Sequence, residues 1–558
     1  MRQNKGWARD SKDRSTLLFA GMLLICAIAM VSGPLQSEPL SAHEQLIQRL
    51  KSETGVLPPT PAGHPVAAMY NREAIIPPQC YTRTEGQHNP CYVCHQNARP
   101  GRENTMNDGP LQREYSFSEI GVNNHWKNLF EDRSTAVAAI SDAQILDWID
   151  DDNYSALPGR LKSAGFKGWI PDLGKLQEGA LAFDQQGFAL DGSDWVAFNY
   201  KPLPSTFWPT NGSTDDVMIR LPLSYRQDKG GAKSRDVYLA NLSIAEALIK
   251  GQQSIETPDI DENRAGEDID GDGRLSILRK LDPSNGWVGA ARGFHAAPSF
   301  YPEGTEFLHT VRYVGIDEAG VIGPSRRMKE VRYMRKAFTI TLDAAREAYL
   351  QEGYHKDEGL LPLYTNRGDQ GLDNGMGWLI QGFIEGVDGR LRVATFEEHV
   401  YCMGCHSSIG STIDKTFSFP RKVDGRAGWG YINLHGMKDA PNLGETEGEI
   451  LTYFQRAGGG DEFRSNTELR ERWFKQGVNA VDVAKVRAAP DVHTLVTPSR
   501  DRALQLNKAY RTIVAEQDFI YGRDATVTPP VNVYVEVGDD APVLPPSLNH
   551  LWSITLDW

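Results

Sequence analysis

Cys402-Met403-Gly404-Cys405-His406 sets two thiols two residues apart, with an imidazole directly after the second. The same order recurs at Cys91-Tyr92-Val93-Cys94-His95. One helical turn brings three such side chains to one side of the backbone, so two sulfurs and a ring nitrogen address a single group. Paired cysteines at this spacing also suit a disulfide or a zinc site, and a four-cysteine zinc centre is the main rival. Zinc pairs usually come with further Cys or His at matching spacing, and they do not need a histidine after each pair. The repeat of the whole pentad, histidine included, favours a group that uses both sulfurs and the ring.

That pentad is the attachment signature of c-type haem. On these two stretches the sequence resembles the c-type cytochromes, specifically a di-haem member. The resemblance covers the pentads and little else. It implies two covalently bound haems c, held through Cys91 and Cys94 and through Cys402 and Cys405. The axial ligands would be His95 and His406, and the sixth ligand would set the redox behaviour. For the second haem Met437 is the preferred sixth ligand, with His435 and His493 as alternatives. For the first, Met106, His125, His64, Met69 and His88 all remain open.

The chain has 558 residues, enough for two to four domains with real cores, and its formal net charge is −14. Such acidity argues against non-specific nucleic-acid binding, which selects clustered Lys and Arg. It suits steering towards a basic redox protein partner, or simple solubility. At the N-terminus Arg2, Lys5, Arg9, Lys12 and Arg14 outnumber Asp10 and Asp13, and an apolar run spans 16–31. Ala27-Ile28-Ala29 offers a small-x-small cleavage site, so the segment reads as a secretory signal peptide, with an uncleaved anchor as the alternative. Ile25, directly before Cys26, weighs against lipid attachment there. The expected location is therefore periplasmic or otherwise exported from a bacterium, with membrane association through the N-terminus or through a respiratory complex. Of six cysteines, Cys26 lies in the leader and four in the pentads, leaving Cys80 as a buried inert thiol.

The expected fold class is α+β and multidomain: mainly helical and loop c-type haem domains separated by a β-containing middle region. The boundaries read as 1–33 signal peptide or anchor, 34–133 first haem segment, 134–298 middle domain, 299–340 β segment and 341–558 second haem domain. Ser41 with Glu44, and Ser141 with Gln144, make capping boxes ahead of helices. Phe307, His309, Val311 and Tyr313 alternate as a strand, with another at Val331 and Tyr333. His309 reads as a strand histidine, since nothing around it has metal spacing. Helices are expected over 342–351 with Gly353 as stop, over 449–457, and over 500–515. Val531, Val533, Val535 and Val537 predict a half-buried strand.

Within the middle domain, Asp268, Asp270 and Asp272, with Gly273 at the sixth place, match the first half of an EF-hand calcium loop. Arg279 stands at the twelfth place, where a bidentate Glu belongs. Calcium there needs a further ligand such as Asp259, Asp261 or Asp282, and a solvated acidic turn is the alternative.

Three functional readings follow. The leading one is an exported di-haem electron carrier passing single electrons between redox partners. The second is a di-haem peroxidase or oxidase-type enzyme with one haem open to substrate. That family also carries two such pentads with a calcium site between them, but the interval from Cys91 to Cys402 is longer than its usual one. The third is a relay module of a larger respiratory complex.

Overall fold

The structure, a computed structural model, describes residues 76–83, 88–97, 109–113, 117, 121–204, 211–357, 364–406, 409–457, 466–539, 541, 543–545, 547 and 554–558. All of them belong to one compact unit. The leader, Cys26 and the expected helix after Ser41 lie outside the described residues.

The strands are β1 (Val196–Ala197), β2 (Thr214–Arg220), β3 (Ile255–Asp261), β4 (Ile277–Leu281), β5 (Glu306–Ile316), β6 (Ile322–Lys336), β7 (Thr365–Asn366), β8 (Leu372–Asp373), β9 (Trp378–Glu385) and β10 (Leu391–Val393). Eight of them form one sheet in the order β1-β2-β5-β6-β9-β8-β7, with β10 also on β9, and β3 and β4 pair separately. Every ladder is antiparallel. The helices that position the site are α1 (Asp142–Asp150), α2 (Arg235–Lys250), α3 (Leu342–Asp357), α4 (Phe396–Val400), α5 (Glu449–Ala457) and α6 (Arg500–Glu516).

This corrects the expected fold class. The centre is an eight-stranded antiparallel sheet with few helices around it, not a set of mainly helical haem domains. The reason is visible in β6, where Arg327, Lys329, Glu330 and Lys336 are all buried. Both faces of the sheet are covered, so the period-two alternation that marks a half-exposed strand is absent. The charges survive burial because each finds a partner. Arg327 Nε donates to Glu385, and Lys336 Nζ donates to Asp414 at 2.5 Å.

The two faces carry different cores. Met218, Leu308, Val331 and Phe383 point to one side, against Tyr154, Leu157, Leu161 and Leu176. Phe307, Met334 and Ile380 point to the other, where α2, α5 and the second pentad pack. The sheet takes β1 and β2 from the 134–298 segment, β5 and β6 from 299–340, and β7 to β10 from 341–558.

Several local expectations hold. Ser141 and Gln144 form the capping box of α1, β5 and β6 occupy the expected β segment, and α5 and α6 fall within a residue of their expected ends. Two do not. The third helix, α3, runs through Gly353 to Asp357. The valine run near the C-terminus forms only isolated bridges, Val533 to Thr82 and Glu536 to Asn123. Val533 and Val537 are buried, while Val531 and Val535 are 87% and 64% exposed, a period of four that a flat strand cannot produce.

Candidate functional site

The second pentad is held by the element before it. Thr395 caps α4 in a reciprocal box with Glu398, whose carboxylate also takes both terminal nitrogens of Arg392 at 2.8 Å. Burial pushes Glu398 up, but the Arg392 guanidinium prevails and holds it at about 2. His399 is locked from both sides: Nδ1 donates to the Thr395 carbonyl, and Nε2 accepts from Gly382 N at 2.7 Å. The helix therefore sits against β9, and the 3-10 turn Tyr401–Gly404 that continues it faces the sheet.

The two pentads share one backbone turn. Cys405 N and His406 N both donate to Cys402 O, at 3.2 and 3.0 Å, and Cys94 N and His95 N both donate to Cys91 O, at 3.1 and 2.8 Å. Asn89 caps the first turn by accepting from Cys91 N at 3.2 Å. The turns also lie close together. Ser411 N, just beyond the second pentad, donates to Cys94 O at 3.0 Å, and the half-buried Cys80 thiol is raised by burial and then by the Cys91 and Cys405 sulfurs.

Between the second pentad and the sheet lies a cleft that is partly open to solvent. Val217, Phe307, Met334 and Ile380 supply an apolar wall, and Cys402, Cys405 and His406 face it. His406 Nδ1 hydrogen-bonds the Lys415 carbonyl at 2.9 Å, which leaves Nε2 for the cleft. Burial pushes this imidazole down to about 4, so it is neutral at physiological pH. Burial likewise raises Cys405 to about 11 and Cys91 to about 12, so these are neutral thiols rather than reactive thiolates.

His309, read from sequence as a strand histidine, is on β5 and lines this cleft, with Nε2 3.1 Å from Asp215 Oδ2. Met437 is buried in the core, tied through its backbone to Leu434 and Val492, and is not among the cleft-lining residues. His435 stacks on His493 with ring centroids 3.8 Å apart. His125 packs on Trp126, where burial holds it near 4. His88 is buried beside Tyr92. His64, Met69 and Met106 lie outside the described residues.

Sequence reasoning missed the polar end of the cleft, made by Lys329, Glu330, Arg332, Tyr510 and Arg523. The ladder between β5 and β6 slips here. Val311 pairs with Glu330 and Arg312 with Met328, so Lys329 is an extra residue. A β-bulge re-aims side chains, and it brings Lys329 and Glu330 to the cleft together, where strict alternation admits one. No sequence pattern marks a bulge in so charged a run.

The four pentad cysteines do not gather as a zinc centre. Among the described residues the one group of three metal-type ligands is Glu262, Asp268 and Asp270. Glu262 is fully buried and accepts from Ile269 N and Ser276 N at 2.6 and 2.8 Å, so it closes the acidic loop from in front rather than from the twelfth place. Asp272 instead accepts from Arg274 N, and Asp259 is engaged by Arg279. A cluster satisfied by its own backbone does not require an ion, and no calcium is assigned to it.

A model of a family described as "-like lipoprotein" matches residues 64–488. The chain belongs to that lipoprotein family. A protein of Aquifex aeolicus (strain VF5), named an uncharacterized lipoprotein, is 32% identical over 512 residues, covering 82% of this chain and 86% of its own length. No solved structure matches. These findings correct the assignment to the di-haem c-type cytochromes. Both pentads stand in the sequence, but the family shown is a lipoprotein family, and neither its description nor its relative's name carries a cytochrome, a haem or a peroxidase. The electron-carrier and peroxidase functions and the two haems c are withdrawn with it. Membership makes the protein exported and membrane-associated. No helix among the described residues is long and apolar enough to cross a membrane.

Proposed function

We propose that this lipoprotein binds a small molecule with a largely apolar body in the cleft between the sheet and the second pentad. The Cys402 and Cys405 sulfurs and His406 Nε2 serve as contact atoms at one wall. The observation that carries the reading is an apolar cleft into which a few polar groups of shifted acidity converge, the usual make-up of a ligand site. The folded part lies in the periplasm, held at the membrane by lipid on Cys26, the leader's single cysteine. Family membership supports this over the objection raised by Ile25.

The test uses N-phenyl-1-naphthylamine, a neutral dye that brightens in apolar sites. The folded protein should bind it saturably at one site, and Val217→Trp, which fills the wall, should weaken binding by about tenfold or more. Absence of saturable binding to the folded wild type sinks the reading.

A further inference from the structure

The polar end of the cleft contains two buried hydrogen-bond donors, Arg523 Nε and Tyr510 Oη, with no partner among the described residues. Arg523 is 8% exposed. One of its terminal nitrogens donates to Glu330 Oε2 at 2.8 Å and the other to the Glu398 carbonyl, while its buried Nε has no partner among the described residues. Arg332 spends its Nε on the same Glu330 oxygen at 2.8 Å, and its terminal nitrogens have no hydrogen bond among the described residues. The Tyr510 hydroxyl is buried without a partner among the described residues. Lys329 Nζ lies 3.9 Å from the Tyr510 ring and donates to Gly212 O at 2.6 Å and Ser213 Oγ at 3.0 Å, which leaves one proton unassigned.

Unmade hydrogen bonds of this kind are costly. Single orphaned donors also occur elsewhere in the chain, and what sets this end apart is that two of them sit with Lys329 and Arg332 on one wall of an apolar cleft. Glu330, Asp524 and Asp215 offset the cations, so the long-range field is weak. Asp215 Oδ1 is an open acceptor elsewhere on the lining, but the donors converge at this end, and a planar carboxylate satisfies more of them than a carboxamide of the same size.

We infer that the end of the cleft formed by Lys329, Arg332, Tyr510 and Arg523 is a carboxylate subsite, and that the ligand is an apolar molecule bearing a carboxylate. This rests on the cleft being a ligand site and names the ligand's class. The bulge at Lys329 serves the subsite directly, since it turns the amine into the cleft beside Glu330.

The experiment compares 2-naphthoate with 2-naphthamide, equal in shape and different in charge, by displacement of N-phenyl-1-naphthylamine. Wild type should prefer the carboxylate by about tenfold or more. That preference should shrink in Arg523→Gln and, separately, in Tyr510→Phe, with circular dichroism confirming the fold of each. Equal affinities in wild type, or a preference intact in both variants, overturns the subsite while the cleft stands. Dye that binds but yields to neither compound also overturns it. Failure of the dye to bind at all removes the cleft reading, and the subsite with it.

Discussion

Lys329 shows how a single residue links burial to binding. Burial pushes its amine down to about 7, against the upward pull of Glu385, Asp524 and Glu330. Below that pH the amine is a cation and above it a neutral donor. A bound carboxylate favours the cation, so it raises the lysine pKa and takes up a proton near neutrality. Carboxylate affinity should therefore fall as pH rises from about 6 to about 8.5, while 2-naphthamide affinity stays nearly flat. Arg332 and Arg523 stay charged throughout, so part of the preference persists at high pH. Lys329→Met should flatten the profile, and displacement titrations across that range check it. Little of this was legible in the chain. The pentad residues announced themselves by spacing, and the turns they form are as expected. Lys329, Arg332, Tyr510 and Arg523 carry no motif, because their role arises from a slipped ladder and from a helix and loop nearly two hundred residues away. His309 looked like any strand residue for the same reason: what makes it notable is the wall it faces, not its neighbours in sequence.

At the scale of elements, the sheet depends on charges that no solvent reaches. Asp216 on β2 accepts from Thr310 Oγ1 at 2.6 Å, Tyr431 Oη at 2.6 Å and Arg312 Nε at 3.1 Å, and Arg312 is fully buried. Asp216→Ala leaves that guanidinium in the interior with only the Leu176 and Ser325 carbonyls and Thr310 Oγ1. The variant should lose about 3–5 kcal/mol in urea unfolding, whereas exposed Asp343→Ala on α3 should lose less than about 0.5 kcal/mol. The same buried charges explain why helices were easier to read than strands. The sixth helix shows its apolar stripe and α1 its capping box, each a short-range signal. Strands β2 and β9 bury both faces, so their pattern is decided by partners on distant strands.

For the whole molecule, the family overrules the local signature. Two pentads in a long acidic chain pointed to a redox carrier, yet the chain aligns over most of its length with a lipoprotein. A short motif constrains a few atoms, whereas a match across the sheet constrains the architecture. The lipid proposed on Cys26 gives the corresponding prediction. The full-length protein should sediment with membranes, and Cys26→Ser should move it to the soluble exported fraction. A variant that stays in the membrane pellet after a carbonate wash argues for an uncleaved apolar anchor instead.

The bond from Ser411 N to Cys94 O has a temporal side. Secretion delivers a chain from its front end, so the early thiol pair emerges long before the segment that shelters it has crossed. Until the loop closes, Cys91 and Cys94 lack that contact. In the periplasmic setting proposed above, a product ending before Ser411 should oxidise Cys91 and Cys94 to a disulfide more readily than the full-length chain, and a free-thiol count on both products checks it.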